Sequence, residues 1–196
     1  MMKMNIHEII ALFTGAAISL FSSIVTLWVT NVINRTGRIR IFYRFVGLKD
    51  YISGWGFFGS EDGGMQLVIP TIFEIQNTKN TPFVMRDVNL ALFNDKRIVS
   101  EMIQITDEAR HGVNCTEYGL DKGSYSFVIE PHSIKRIRCL YILRINQNEK
   151  EEKKFEYIKM VYYNENNHRI EKRIKTICGD WNCKNFGTEI KWSLVK

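Results

Sequence analysis

Arginine is the residue type in this chain whose spacing best suits binding chemistry. Arg136 and Arg138 sit two apart in an alternating run, so they share one face of a strand. A guanidinium presents a planar fork of donors that matches phosphate oxygens, and two such groups on one face can hold an anionic ligand. A second basic face comes from Arg169, Arg173 and Lys175, and a third from Arg38, Arg40 and Arg44 with Phe42 between them. The third face follows a long apolar segment. There each cation adds about 1 kcal/mol of attraction to an anionic leaflet. The run Gly54-Trp55-Gly56-Phe57-Phe58-Gly59 is the most unusual local composition. Trp55 and Phe57 could stack a base, dock a partner or dip into the interface; folded back, they would plug one end of a core. The candidate ligand contacts are therefore Arg136, Arg138, Trp55 and Phe57. The candidate membrane-surface residues are Arg35, Arg38, Arg40 and Arg44. Solvated strand edges, which discourage aggregation, explain many such charges without any ligand.

Other chemistry has little support. There is no G-x-S-x-G elbow, Walker loop, G-x-G-x-x-G or H-E-x-x-H. His7, His111, His132 and His168 fall near turns or termini, with no nucleophile beside them. His111 and Cys115 are four apart without a second pair, and Cys178 and Cys183 are spaced more widely than usual zinc ligands. Glu61 and Asp62 lack the further oxygen ligands that calcium takes. The expectation is a non-enzymatic chain with no cofactor and no metal, with most of Cys115, Cys139, Cys178 and Cys183 acting as small buried hydrophobes.

The elements that would position these residues begin with a membrane anchor. From Ile9 to Asn34 there is no charged residue, and Arg35, Arg38, Arg40 and Arg44 follow at once. At about 1.5 Å per residue this helix crosses a hydrocarbon core of about 30 Å with some tilt. It is too long for a signal-peptide apolar region, and no small-residue cleavage site follows it. Cations lie mainly behind the span, which places the C-terminal part in the cytoplasm and the N-terminus outside, as a single-pass protein. Gly15, Ser19, Ser22 and Thr26, continued by Thr30, form a small-residue stripe of the kind that lets helices associate in lipid. Back-bonded hydroxyls in a lone helix would account for the same residues.

Residues 1–8 are then a short flank, 9–34 the transmembrane helix and 35–196 one β domain. Ile39, Ile41, Tyr43 and Phe45 alternate with polar or outward positions, as a half-buried strand does. Residues 48–66 read as a long loop or an irregular hairpin end. Leu67–Ile75 is a central strand, 84–92 a third, 97–105 a fourth and 125–129 a fifth. Residues 137–145 alternate again, and 155–163 and 168–177 flank the hairpin signal Asn164-Glu-Asn-Asn167. The tail, with Trp181, Phe186, Ile190 and Trp192, adds a last strand. Short strands with frequent turns argue an all-β sandwich or small barrel.

One segment carries a resemblance. Phe73-Glu-Ile75-Gln-Asn77, Pro82-Phe83-Val84 and Val88-Asn-Leu90-Ala-Leu92 resemble the "F-x-I-x-N…P-x-x-V…V-x-L-x-L" pattern of immunoglobulin-like sandwiches in small bacterial single-pass membrane proteins. The likeness covers about residues 67–145 and implies a fold without an activity.

The net charge of +6 beside a membrane suggests anionic headgroups before nucleic acid, and no DNA or RNA partner is expected. Two functions fit. One is a membrane-anchored interaction or ligand-sensing module that binds a protein or small anionic ligand at the cytoplasmic face. The other is an effector that self-associates through its span and perturbs the membrane when the β domain reads a nucleotide-type signal. The architecture is similar to bacterial antiphage effectors that join an N-terminal membrane segment to a small β-barrel reading a cyclic nucleotide, although this chain has one span rather than two.

Overall fold

A computed structural model of the chain describes residues 6–47, 53–60, 63–106, 125–149, 153–177, 181 and 185–195. The helix α1 (Ile6–Arg35) comes first. Its stretch Ile10–Ile33 is long and apolar enough to cross a membrane, and none of it is buried against the rest of the chain. Side-chain hydroxyls on it bond to its own carbonyls: Thr14 Oγ1 to Ile10, Ser23 Oγ to Ser19 and Thr26 Oγ1 to Ser22. Gly15 has open space around it.

Strand β1 (Ile39–Phe45) follows almost without a link. Ile41, Tyr43 and Phe45 are buried while Phe42 and Arg44 are half-buried and Arg40 is exposed, so the period of two read from the sequence points its odd residues inward. Next come β2 (Gly54–Gly59), β3 (Met65–Asn77), β4 (Phe83–Asn94), β5 (Arg97–Glu101) and β6 (Ile103–Thr106). Then β7 (Tyr125–Ile129), β8 (Ser133–Ile145), β9 (Tyr157–Tyr163), β10 (Arg169–Thr176), β11 (Phe186–Gly187) and β12 (Ser193–Leu194) complete an all-β domain behind one helix.

The described strands form two antiparallel sheets, one of seven and one of five strands. β3 is the axis of the first. It pairs along its whole length with β8; its other edge takes β2 and then β1. Pro70 lies where β2 gives way to β1. Its carbonyl accepts from Val46 N at 2.9 Å, and its missing N–H interrupts no bond to β8. In the second sheet β4 lies between β9 and the pair β5 and β7, and β10 closes the far edge.

One core cluster draws on both sheets, joining Phe45, Phe73 and Tyr141 of the first to Leu90, Ile158 and Met160 of the second. The sheets therefore pack face to face as a sandwich. The Tyr43 hydroxyl crosses the core to donate to the Ile174 carbonyl at 2.8 Å.

Two expectations need correction and one is decided. Residues 97–105 are two strands in different sheets: β5 belongs to the second sheet and β6 to the first. The chain changes sheets at buried Met102, whose N–H donates to the Leu90 carbonyl. Residues 54–59 form β2 and pair with β3, so of the two readings the hairpin holds and the loop does not; Gly54 gives the Phe186 carbonyl the space that a Cβ would occupy, 1.9 Å away. The tail adds two very short strands, β11 and β12, capping β2 and β1 separately. Glu61, Asp62, His111, Cys115, Cys178, Cys183 and the rest of 107–124 lie outside the described residues.

Candidate functional site: a basic cavity where the helix meets the sandwich

The helix end is fastened to the β3–β4 turn. Thr36 N donates to the Val32 and Ile33 carbonyls at 3.1 Å each, and Asn80 Nδ2 adds a bond to the Ile33 carbonyl at 2.8 Å, tying the helix end to the turn. Gly37 follows at φ +96, and a Cβ there would lie 2.2 Å from the Thr78 carbonyl oxygen. Arg38 N donates to Thr78 Oγ1 at 2.7 Å, and Thr78 N donates back to the Arg38 carbonyl at 3.0 Å.

The turn has its own support. Buried Asn77 donates through Nδ2 to the Thr81, Ile129 and Glu130 carbonyls, and its Oδ1 accepts from Lys79 N at 2.9 Å. His132 Nε2 lies 2.6 Å from Asn80 Oδ1; the amide oxygen accepts, so the imidazole donates. These asparagines read from sequence only as turn chemistry. In the structure they tie the helix to both connections at this end of the sandwich.

Beside the junction is a cavity of about 560 Å³. It opens at the seam between the sheets, where β12 pairs with β1 at Phe42 and Tyr43, Val195 N donates to the Ile41 carbonyl at 2.8 Å, and Ile39 lies beyond this pairing on the same edge. The link and β1 contribute Gly37, Arg38, Ile39, Arg40 and Ile41; the turn contributes Lys79; the second sheet contributes Phe83, Tyr162 and Lys172; β12 and its flank contribute Leu194 and Val195. The Phe83 and Tyr162 rings meet edge to face at 6.2 Å. Burial, with the Glu165 charge adding to it, raises the Tyr162 pKa, so its phenol stays a neutral donor at physiological pH.

Four cations and no carboxylate line this space. Among the described residues Arg38, Arg40, Lys79 and Lys172 form no ion pair. The volume falls in the range of small-ligand sites. An apolar wall, a phenol and cations at the rim suit a ligand with an anionic group and an apolar part. No group of three or more His, Cys, Asp or Glu among the described residues is arranged to hold a metal.

The other sequence candidates lie elsewhere. Trp55 and Phe57 are core residues, 1% and 4% exposed. Trp55 stacks on Phe186 at 4.4 Å and meets Phe45 at 4.6 Å; Phe57 meets Trp181 at 5.5 Å. They plug the sandwich and offer no ligand surface, which corrects their placing as ligand contacts. Arg136 lies on the outer face of the first sheet, with Nε 2.6 Å from Glu74 Oε2. The Gln76 amide and the Arg136 guanidinium hold the Glu74 carboxyl below the usual carboxylate range. Arg138 follows on the same face of β8. Arg169 pairs with Glu101 at 2.9 Å, Lys175 pairs with Glu189, and Arg173 lies over Tyr157. Arg136 is turned to Glu74, while Lys175 and Arg44 both meet the tail, at Glu189 and at Ile190 and Trp192. Of the membrane-surface set, Arg38 and Arg40 reach the cavity, Arg44 lies 5.0 Å over the Trp192 ring and Arg35 ends the helix. Gly15, Ser19, Ser22 and Thr26 are exposed along α1.

No family model and no solved structure matches the chain. It is similar to the SPbeta prophage-derived uncharacterized protein YopI of Bacillus subtilis strain 168, at 27% identity over 184 residues, spanning 90% of this chain and 99% of that protein.

Proposed function

We propose that this chain is a non-enzymatic, single-pass membrane-anchored module whose β domain holds an anionic ligand at the cytoplasmic bilayer surface. The observation that carries this reading is the cavity lined by Arg38, Arg40, Lys79 and Lys172 beside the end of the apolar helix. Its cations lack carboxylate partners among the described residues, whereas Arg136, Lys159, Arg169 and Lys175 are paired. Unpaired cations around an apolar wall are an arrangement that a ligand's charge would complete. The likeness to YopI runs nearly end to end, which supports treating the apolar helix and the β domain as one unit.

Amide hydrogen exchange on the full chain in neutral-lipid nanodiscs tests the reading. Anionic ligands, both soluble phosphate esters and anionic phospholipids, are added in turn. At least one should slow exchange at the Ile39 amide roughly tenfold, because Ile39 lies on the edge of β1 beyond its pairing with the C-terminal segment and an occupied cavity covers it. Exchange there that is unchanged by every anion tested contradicts the reading. Orientation is checked by protease access: the β domain should be cut in inverted inner-membrane vesicles and protected in intact spheroplasts.

A further inference from the structure

We infer that the ligand of this cavity is an anionic phospholipid, drawn from the leaflet in which the C-terminal end of the helix sits. The inference rests on the function proposed above and narrows it. The apolar stretch ends at Ile33, and the next residues that line the cavity are Gly37 and Arg38. Asn34 and Arg35 continue α1 and Thr36 N still bonds the Val32 carbonyl, so these three rise about 1.5 Å each and Gly37 lies at most about 8 Å beyond Ile33. The link does not swing freely, since Asn80 bonds the Ile33 carbonyl and Thr78 bonds Arg38 on both sides of Gly37. Lys79, between those two anchors, is itself in the cavity lining. With the helix in a bilayer, the rim is held at the polar headgroup layer, which extends about 5–8 Å beyond the hydrocarbon on each side.

The lining matches such a molecule in both halves. Its phosphate oxygens accept from Arg38, Lys79 and Lys172, while its glycerol and first methylenes lie on Ile39 and Phe83. The cations come from the link, the β3–β4 turn and the second sheet, so the charge is gathered from elements distant in sequence. A stop signal for the span would need only the cations of the link. A soluble anion would also meet the cations, but it gains nothing from a rim seated where lipid phosphates are already concentrated.

The test uses the full chain in phosphatidylcholine nanodiscs containing a minor fraction of phosphatidylglycerol. Lipid retained after gentle delipidation is counted by native mass spectrometry. Three forms are compared: the natural chain, Lys79→Gln with Lys172→Gln, and a control with the same charge loss, Lys135→Gln with Arg86→Gln. Both control residues are exposed and lie outside the cavity. A thermal melt of each form establishes that it is folded. The inference predicts one retained phosphatidylglycerol per chain, unchanged in the control and reduced about tenfold in the cavity variant, a loss of roughly 1.4 kcal/mol. Equal losses in both variants would mean general surface attraction and would overturn it. Failure to retain lipid, with glycerol 3-phosphate or inorganic phosphate binding in a Lys79- and Lys172-dependent manner, overturns the lipid assignment and leaves the proposed function standing. Binding of neither lipid nor soluble anion removes both.

Discussion

Tyr43 links the two sheets with one buried hydrogen bond. Its hydroxyl donates to the Ile174 carbonyl, and burial followed by the Glu189 charge raises its pKa. Tyr43→Phe leaves that carbonyl unpaired in the core, so the expected cost is about 1–2 kcal/mol, seen as a lower denaturant midpoint with an unchanged slope. Glu74 gives a pH signature. Its folded-state pKa is depressed, so its contribution is present above the unfolded carboxylate value and is lost as pH falls through the folded one. Arg136→Gln should flatten that acid limb and cost under about 1 kcal/mol at neutral pH, because the arginine side chain is 70% exposed. A pH series of melting curves checks both statements. Alternation in the sequence made the inward residues Ile41, Tyr43 and Phe45 legible. Trp55 and Phe57 read two ways, as ligand contacts or as a plug of the core, because glycines on both sides break the period; their burial decides for the plug. The reason for Gly54 is the Phe186 carbonyl, far along the chain, and no local pattern can reveal that.

At the scale of elements, the junction between α1 and the β3–β4 turn matters most. Gly37→Ala places a side chain at positive φ against the Thr78 carbonyl. The backbone cost alone is about 1–2 kcal/mol, and the collision adds to it. The expected result is local: faster exchange at the Arg38 and Thr78 amides, with the core strands β3, β8 and β9 still protected. Global unfolding of the sandwich instead would show that this junction holds the core as well as the helix. The elements β1, β3, β4, β8 and the β9–β10 hairpin were legible from period or apolar run, but their ends less so: β8 begins at Ser133, before the alternation read from 137, and β3 extends two residues beyond 67–75 at each end. The division of β5 from β6 was hidden, since Met102 is as apolar as its neighbours and only the sheet change distinguishes it. Strands of two residues, such as β11 and β12, are too short to carry any period.

At the scale of the molecule, an apolar helix leads into a sandwich whose seam opens beside the helix end. Arg38 and Arg40 were visible in the sequence as cations behind an apolar stretch. Lys79, Phe83, Tyr162 and Lys172 were not visible as partners of these arginines. Their meeting depends on which strand edge faces which, and so on long-range pairing such as β9 with β4 and β10. The central claim is that this arrangement seats the cavity at the bilayer surface. A spin label on an encoded non-natural residue at Leu194, on the cavity, reports its level by relaxation from a nickel-chelating lipid in reconstituted bilayers. The comparison labels are at Ile33 and at Arg97, the first residue of β5. Phe83, at the cavity, and Asn94 are opposite ends of β4, so Arg97 lies on the order of 35 Å away along the strand. The account predicts strong relaxation at Leu194, close to that at Ile33, and little at Arg97. Relaxation at Leu194 as weak as at Arg97 would contradict it.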